Sequence, residues 1–523
     1  MPLSDASTLK AYSFMLEQGS MATAVALDNV DQLKELIQKS RILDLAEAGK
    51  ALLMAADKGK VECLEVLLDA GTSPDTKALG YTPFILAAQN GHLAIMHILH
   101  ARGCNVMRTT HPVRGSALHW AVANGHQECV DFLLTTQIDR DAQTMHGRTA
   151  VMLAARNGRP EILKTLLNAN CKVDIVERST GYNALHHAAV EGWTDCVQML
   201  LSAGIDPNAT TVSGDSALII AARKNRLETV EVLIKAGADV DGSGSCNMTA
   251  IHWACEGGFL EVVELLLEEG ANPSVITTDT FESWQTFSSG PINGGCTPLM
   301  LAARGGHIEI MELLIKAGVD LVVFDKSGDS VLHYAVRSNR TACIELVIRL
   351  GLSPDLQQEP ALTDTPLAVA MQEQKYHSLR ALIQANCNID AKVRPPIEEV
   401  MRQDSPFRSP TCSPFEMAVL RSHSAVMKML ALAGCDLSIL QYWLETSCLP
   451  DSLKYNSNLL HWLLDVAFVH SSLKNLCRAR IREVLGYQVK ELAQKLPLPK
   501  RIIEYVTLAD LDSIDLTSDG SQQ

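Results

Sequence analysis

Two kinds of apolar stretch alternate along most of this chain, one rich in alanine and one rich in leucine, with polar turns between them. The alanine-rich stretch has a recurring form: a polar residue, a small residue or proline, three mostly apolar or histidine residues, then in most copies a small pair. Its clearest copies are Thr82-Pro83-Phe84-Ile85-Leu86-Ala87-Ala88 and Thr297-Pro298-Leu299-Met300-Leu301-Ala302-Ala303. Copies begin at Thr82, Ser116, Thr149, Asn183, Ser216, Thr249, Thr297, Ser330, Thr365 and Ser413, at intervals of 34, 33, 34, 33, 33, 48, 33, 35 and 48 residues. A period near 33 marks a repeat architecture. The turn after each copy often holds glycine (Gly91, Gly125, Gly158, Gly192, Gly258, Gly306), the residue that accepts the left-handed backbone of a helix C-cap. Leucine-rich runs such as Val262 to Leu267 predict a second helix, and most repeats close on forms like Ala236-Gly237-Ala238-Asp239-Val240-Asp241. Small pairs let inner helices approach closely, while leucine pairs fill the space between repeats. No single unit buries its own apolar face, so stacking must supply one elongated core. The prediction is an all-α solenoid.

Departures from the period carry further information. A degenerate copy spans Met21 to Gln38 and an intermediate one Lys50 to Gly71, which with the other ten makes about twelve repeats over 18–437. A degenerate first copy suits the polar cap at a solenoid's end. Both 48-residue intervals hold insertions, near 275–293 and near 392–411. The first carries Phe281, Trp284 and Phe287; Trp284 is a candidate target anchor, because tryptophan is enriched at interface hot spots, or else the segment packs back on the solenoid. Residues 1–17 form an N-terminal extension. Over 438–470 the period fails, and Leu440 to Leu444 with Leu459 to Leu464 predict helices that cap the last repeat. The acidic tail, 509–523, reads as disordered.

Between cap and tail, over 471–508, lies a different pattern. Leu473, Leu476, Cys477, Ile481, Val484 and Leu485 share one helical face, with Ser472 placed to cap the helix and Gly486 to end it. Lys474, Arg478, Arg480 and Arg482 take the other positions. A helix this short has little core of its own and needs a partner surface. Leu496-Pro497-Leu498-Pro499 follows.

The 33-residue unit resembles the ankyrin repeat, and the terminal pattern resembles a SOCS box: a small polar residue and Leu, Cys four residues on, an apolar residue four further, then Leu-Pro-apolar-Pro. Ser472, Leu473, Cys477, Ile481 and Leu496 to Pro499 carry that likeness. In this order, the two are similar to the ankyrin repeat and SOCS box family. The resemblance implies that Leu473 and Cys477 enter elongin C from the face that also holds Leu476 and Ile481. It further implies elongin B, and recruitment of cullin-5 with its RING subunit through Leu496, Pro497, Leu498 and Pro499. The chain would then be a non-catalytic substrate receptor of a ubiquitin ligase. The alternative is a non-degradative ankyrin scaffold whose tail is only a structural cap; co-purification with elongins separates them.

Composition narrows the picture. A formal charge of −15 disfavours a general nucleic-acid binder. No run approaches the roughly 20 apolar residues of a membrane span, and Met1 to Gly19 lacks a signal-peptide pattern. We expect a cytoplasmic protein, with the nucleus as a second compartment. Cys63, Cys129, Cys196 and Cys343 share one repeat register, and Cys104, Cys171, Cys387 and Cys435 another. They read as buried packing groups rather than disulfides or metal ligands. His119, His186, His252 and His333 also share a register, where the ankyrin resemblance implies hydrogen bonds from turn to helix start. No phosphate loop, nucleophile setting or cofactor motif stands out. Finally, Arg156, Arg223, Arg304 and Arg337 each follow the small pair that ends an inner helix, with Arg159, Arg226 and Arg340 three residues on. Stacking predicts a basic stripe on the concave face: a site for an acidic target segment, or a row of solvated helix ends. The target itself has no signature in the sequence.

Overall fold

The computed structural model describes residues 20–39, 45–78, 80–278, 294–358, 364–393, 411–445, 449–469, 481–482, 493–495 and 500–508. Within them lie twelve inner–outer helix pairs, from Ser20–Ala26 with Val30–Lys39 to Pro414–Leu420 with Ser424–Ala433. Seven pairs belong to a compact unit spanning 1–245 and five to a second spanning 246–523. No strand occurs among the described residues; the hairpins between repeats carry isolated antiparallel bridges such as Thr210 with Ser216 and Phe324 with Ser330. None of the described helices is long and apolar enough to cross a membrane.

The polar residue that opens each copy is the N-cap of its inner helix, in extended backbone, at all ten positions from Thr82 to Ser413. It takes up an amide that the helix start leaves unpaired. Inner helices are then buried nearly all round: in Ala217–Arg223 every residue before Arg223 is buried. Outer helices bury one face, for example Thr229, Val230 and Leu233 in Leu227–Lys235.

Two side-chain devices join neighbouring repeats. His119, His186, His252 and His333 stand three residues after the N-cap, and their Nδ1 atoms accept the N-cap amide at 3.1, 3.1, 3.2 and 3.0 Å. With Nδ1 accepting, Nε2 carries the proton and donates to the hairpin carbonyls of Arg148, Ala209, Val275 and Asp364 at 3.0–3.1 Å. Burial pushes these imidazoles down, His186 and His252 to about 4.

The second device sits where the outer helix begins. His92, His126, Trp193, Arg226 and His307 donate to the carbonyls of Asp57, Gln89, Arg156, Val190 and Glu256, at 2.9–3.2 Å. Those carbonyls end the inner helices of preceding repeats, where no intrahelical partner exists. Glycine makes the approach possible. Gly91 caps its helix at φ +76°, and a Cβ there would stand 2.5 Å from His126 Nδ1.

After the twelfth pair, helices Ser438–Glu445, Asp451–Lys454 and Ser457–Val469 bury Leu440, Trp443, Leu453, Leu459 and Leu463. Ser452 Oγ donates to the Val419 carbonyl at 2.9 Å, tying this cap to the last repeat.

Candidate functional site

The four arginines of the expected stripe do end inner helices, but their charges are differently engaged. In the first unit, Arg223 pairs through Nη1 with Oδ2 of buried Asp215 at 3.1 Å. In the second, Arg337 pairs with Asp329 at 2.7 Å and with Glu373 at 2.8 Å. Asp215 and Asp329 each immediately precede an N-cap, eight residues before their arginines; Asp364 and Gln372 repeat the arrangement with a 3.2 Å hydrogen bond. The hairpin thus folds a carboxylate onto the end of its own inner helix. Arg223 and Arg337 thus staple their hairpins, each sharing its charge with a neighbouring carboxylate.

Arg156 and Arg304 lack that aspartate. Arg148 precedes the N-cap before Arg156, and Cys296 precedes the one before Arg304. Arg148 Nε instead reaches Glu177 Oε1 at 2.5 Å, which His187 Nε2 also meets at 3.1 Å, while Thr180 donates to Oε2 at 2.6 Å. Burial raises the Glu177 carboxyl, yet donation from His187, Thr180 and Arg148 outweighs it and holds the group well below the usual range. Arg156 remains half-buried. Of the flanking row, Arg159 and Arg340 are exposed, while Arg226 is one of the inter-repeat donors.

Among the described cysteines, eleven are buried and Cys246 is half-buried, all as free thiols. Burial pushes Cys104 up to about 12 and Cys129, Cys171, Cys196 and Cys343 up to about 11. Within the described residues no group of three or more His, Cys, Asp or Glu side chains is arranged to hold a metal ion.

Toward the C-terminus, Leu473, Leu476 and Cys477 lie outside the described residues, as do Leu496, Pro497, Leu498, Pro499 and Trp284. Ile481 is described: it is half-buried and packs, with Ile503, against buried Ala493 and Val506. Its neighbour Arg482 departs from the sequence expectation. The helical pattern placed it with the polar positions, but it is 5% exposed and makes hydrogen bonds to the eleventh repeat. No local signal announces this, because the acceptors lie nearly a hundred residues earlier in the chain.

Comparison with known families bears on both regions. The pattern described as ankyrin repeats (3 copies) matches residues 21–110, 104–177, 170–243, 207–277 and 277–358, and the SOCS box matches 471–507. The chain belongs to the ankyrin repeat and SOCS box proteins. Similar proteins include "E3 ubiquitin-protein ligase XBAT33" of Arabidopsis thaliana, 30% identical over 161 residues, covering 31% of this chain and 30% of that protein. "Probable E3 ubiquitin-protein ligase XBOS32" of Oryza sativa subsp. japonica is 33% identical over 119 residues, 23% of this chain and 24% of its own. "Ankyrin repeat and KH domain-containing protein mask-1" of Caenorhabditis elegans is 34% identical over 222 residues, 39% of this chain and 8% of its own. The ankyrin repeat and SOCS box chain thus spans no more than 30% of these relatives' lengths.

Proposed function

We propose that this chain is the target-holding subunit of an elongin–cullin-5 RING ubiquitin ligase and itself makes or breaks no bond. The observation that carries the reading is the succession of an ankyrin array and a SOCS box in one chain. The array supplies the surface that holds a protein target. The box supplies Leu473, Leu476 and Cys477, which engage elongin C, with elongin B completing the adaptor. Leu496 to Pro499 then choose cullin-5. Holding a target beside a charged ubiquitin carrier raises the effective concentration of its lysines. Free buried thiols suit a reducing compartment, and we place the assembly in the cytoplasm.

The test is co-purification of elongins B and C with the full chain, wild type against the Leu473→Ala, Cys477→Ala double variant. Truncating a central anchor costs about 2 kcal/mol or more, so capture should fall at least about thirtyfold while circular dichroism stays unchanged. Undiminished capture by the folded double variant rejects the assignment, and leaves a scaffold whose tail is a structural cap.

A further inference from the structure

The guanidinium of Arg482 is buried between two parts of the chain that the sequence keeps apart. Its Nε donates to Asn386 Oδ1 at 3.2 Å and its Nη2 to the Ile383 carbonyl at 2.8 Å. Nη1 donates to the Val506 carbonyl at 2.8 Å, and the backbone carbonyl of Arg482 accepts from Asn386 Nδ2 at 3.3 Å. Ile383 belongs to the last turn of Tyr376–Gln384, the outer helix of the eleventh repeat. Carbonyls there lack intrahelical partners and sit at the negative end of the helix dipole. Asn386 follows that helix at φ +65°, a left-handed conformation that asparagine tolerates better than most residues. Val506 closes Lys500–Val506 inside the box.

One planar fork therefore links a helix end of the array, the left-handed residue two positions beyond that helix, and the end of the helix Lys500–Val506. Arginine suits this role because its five N–H donors have fixed directions. A lysine ammonium keeps the charge but cannot span acceptors facing three separate edges. The side chain beside it, Ile481, packs into the box core, so the pin and that core leave from adjacent positions of one segment.

We propose that Arg482 is a positioning residue that locks the SOCS box onto the eleventh repeat. Elongin capture does not require the lock; the placement of ubiquitin on a target held by the array does. The second consequence rests on the ligase reading given above, whereas the lock itself does not.

Hydrogen exchange on the full chain, read by mass spectrometry, tests the lock directly. The reporting amides are Asn386 and Cys387, bonded to the Ile383 and Leu382 carbonyls, and Thr507, bonded to Ile503. Arg482→Met and Arg482→Lys should each speed exchange in the peptides covering 379–388 and 500–508 by about tenfold or more, as expected when buried acceptors lose their donors. Exchange over 20–245 should stay at the wild-type rate, and elongin B and C should still co-purify. Asn386→Ala, which removes one acceptor outside any helix, should give a smaller rise in the same two segments. Wild-type exchange in Arg482→Met overturns the proposal. If Arg482→Met exchanges faster throughout the chain, Asn386→Ala decides, and an unchanged rate there overturns it equally. Should wild-type protein capture no elongin, the ligase reading falls while the exchange result still judges the lock. With elongin captured, a reconstituted ligase should modify lysines of the array itself, Lys50 to Lys235, at least about tenfold more slowly with Arg482→Lys; equal rates would refute the functional half.

Discussion

Acid should loosen this protein once the pH falls below about 6.5, and His186 shows why. Its Nδ1 lone pair already accepts the Asn183 amide at 3.1 Å, and its Nε2 proton is committed to the Ala209 carbonyl at 3.0 Å. A second ring proton would face an N–H. Burial therefore lowers the folded pKa to about 4 from 6.5, the value for the exposed group. The unfolded chain binds the proton more readily between those values, so stability is complete above about pH 6.5 and declines as pH falls toward 4. Linkage over that interval gives a loss of about 2 kcal/mol between pH 7.5 and pH 5 for this one histidine. His252, lowered to about 4 in the second unit, should add a similar amount there. Urea unfolding followed by circular dichroism at both pH values, at one ionic strength, measures the effect. His186→Gln should be less stable at pH 7.5 by about 1–3 kcal/mol through disturbed buried hydrogen bonds. Its further loss at pH 5 should nevertheless be smaller than the wild-type loss by about 2 kcal/mol. Repeat arrays need not unfold in one step, so the transition containing residues 150–223 is the one to compare. If wild type and variant lose equal stability between the two pH values, the histidine is not the acid-sensitive group.

Glu177→Ala strands Arg148 and His187 around an empty, buried position and should cost about 3 kcal/mol or more, read as a lower denaturation midpoint; a change under 1 kcal/mol would mean the cluster relaxes to water. Brief alkylation of native protein followed by peptide mass mapping should modify Cys246 well before the eleven buried thiols among the described residues, and early labelling of Cys255 or Cys296 would contradict their burial. On the proposed ligase reading, replacing Leu496 to Pro499 by alanines should weaken cullin-5 recruitment while elongin capture persists, because losing two φ-restricted prolines raises the ordering cost of docking. Loss of both together would show that the two elements are not separable.

Ten of the helix pairs were legible because their inner helices open on a polar cap, most end near a small pair, and those signals recur at a spacing near 33 residues. Histidine at the third helical position was equally legible once its register was noticed. Pairing of Arg223 and Arg337 was not, although the clue was present: Asp215 and Asp329 stand eight residues earlier, as Asp364 does before Gln372. Eight residues spans a cap and two helical turns, a separation that neither helix nor strand periodicity tests. Arg482 could not be found locally at all. Its amphipathic context assigns it to solvent, and only the folded chain brings Ile383 and Asn386 to it. Recurrence reveals what repeats do in common; contacts made once leave no period.

The bonds at the start of the outer helices bear on how such an array can change. Histidine, tryptophan and arginine all occupy that register, and all end on the same kind of acceptor, a main-chain carbonyl. An acceptor belonging to the backbone survives every substitution in the repeat that offers it. The donor can therefore drift among side chains bearing an N–H while neighbouring units stay joined, freeing the outward surface to be rewritten for new targets. A designer inherits the same latitude. His126→Arg should keep the wild-type melting temperature to within a degree or two, whereas His126→Ala, with no donor to offer Gln89, should lower it by several degrees; equal melting of the two variants would show that the register tolerates anything.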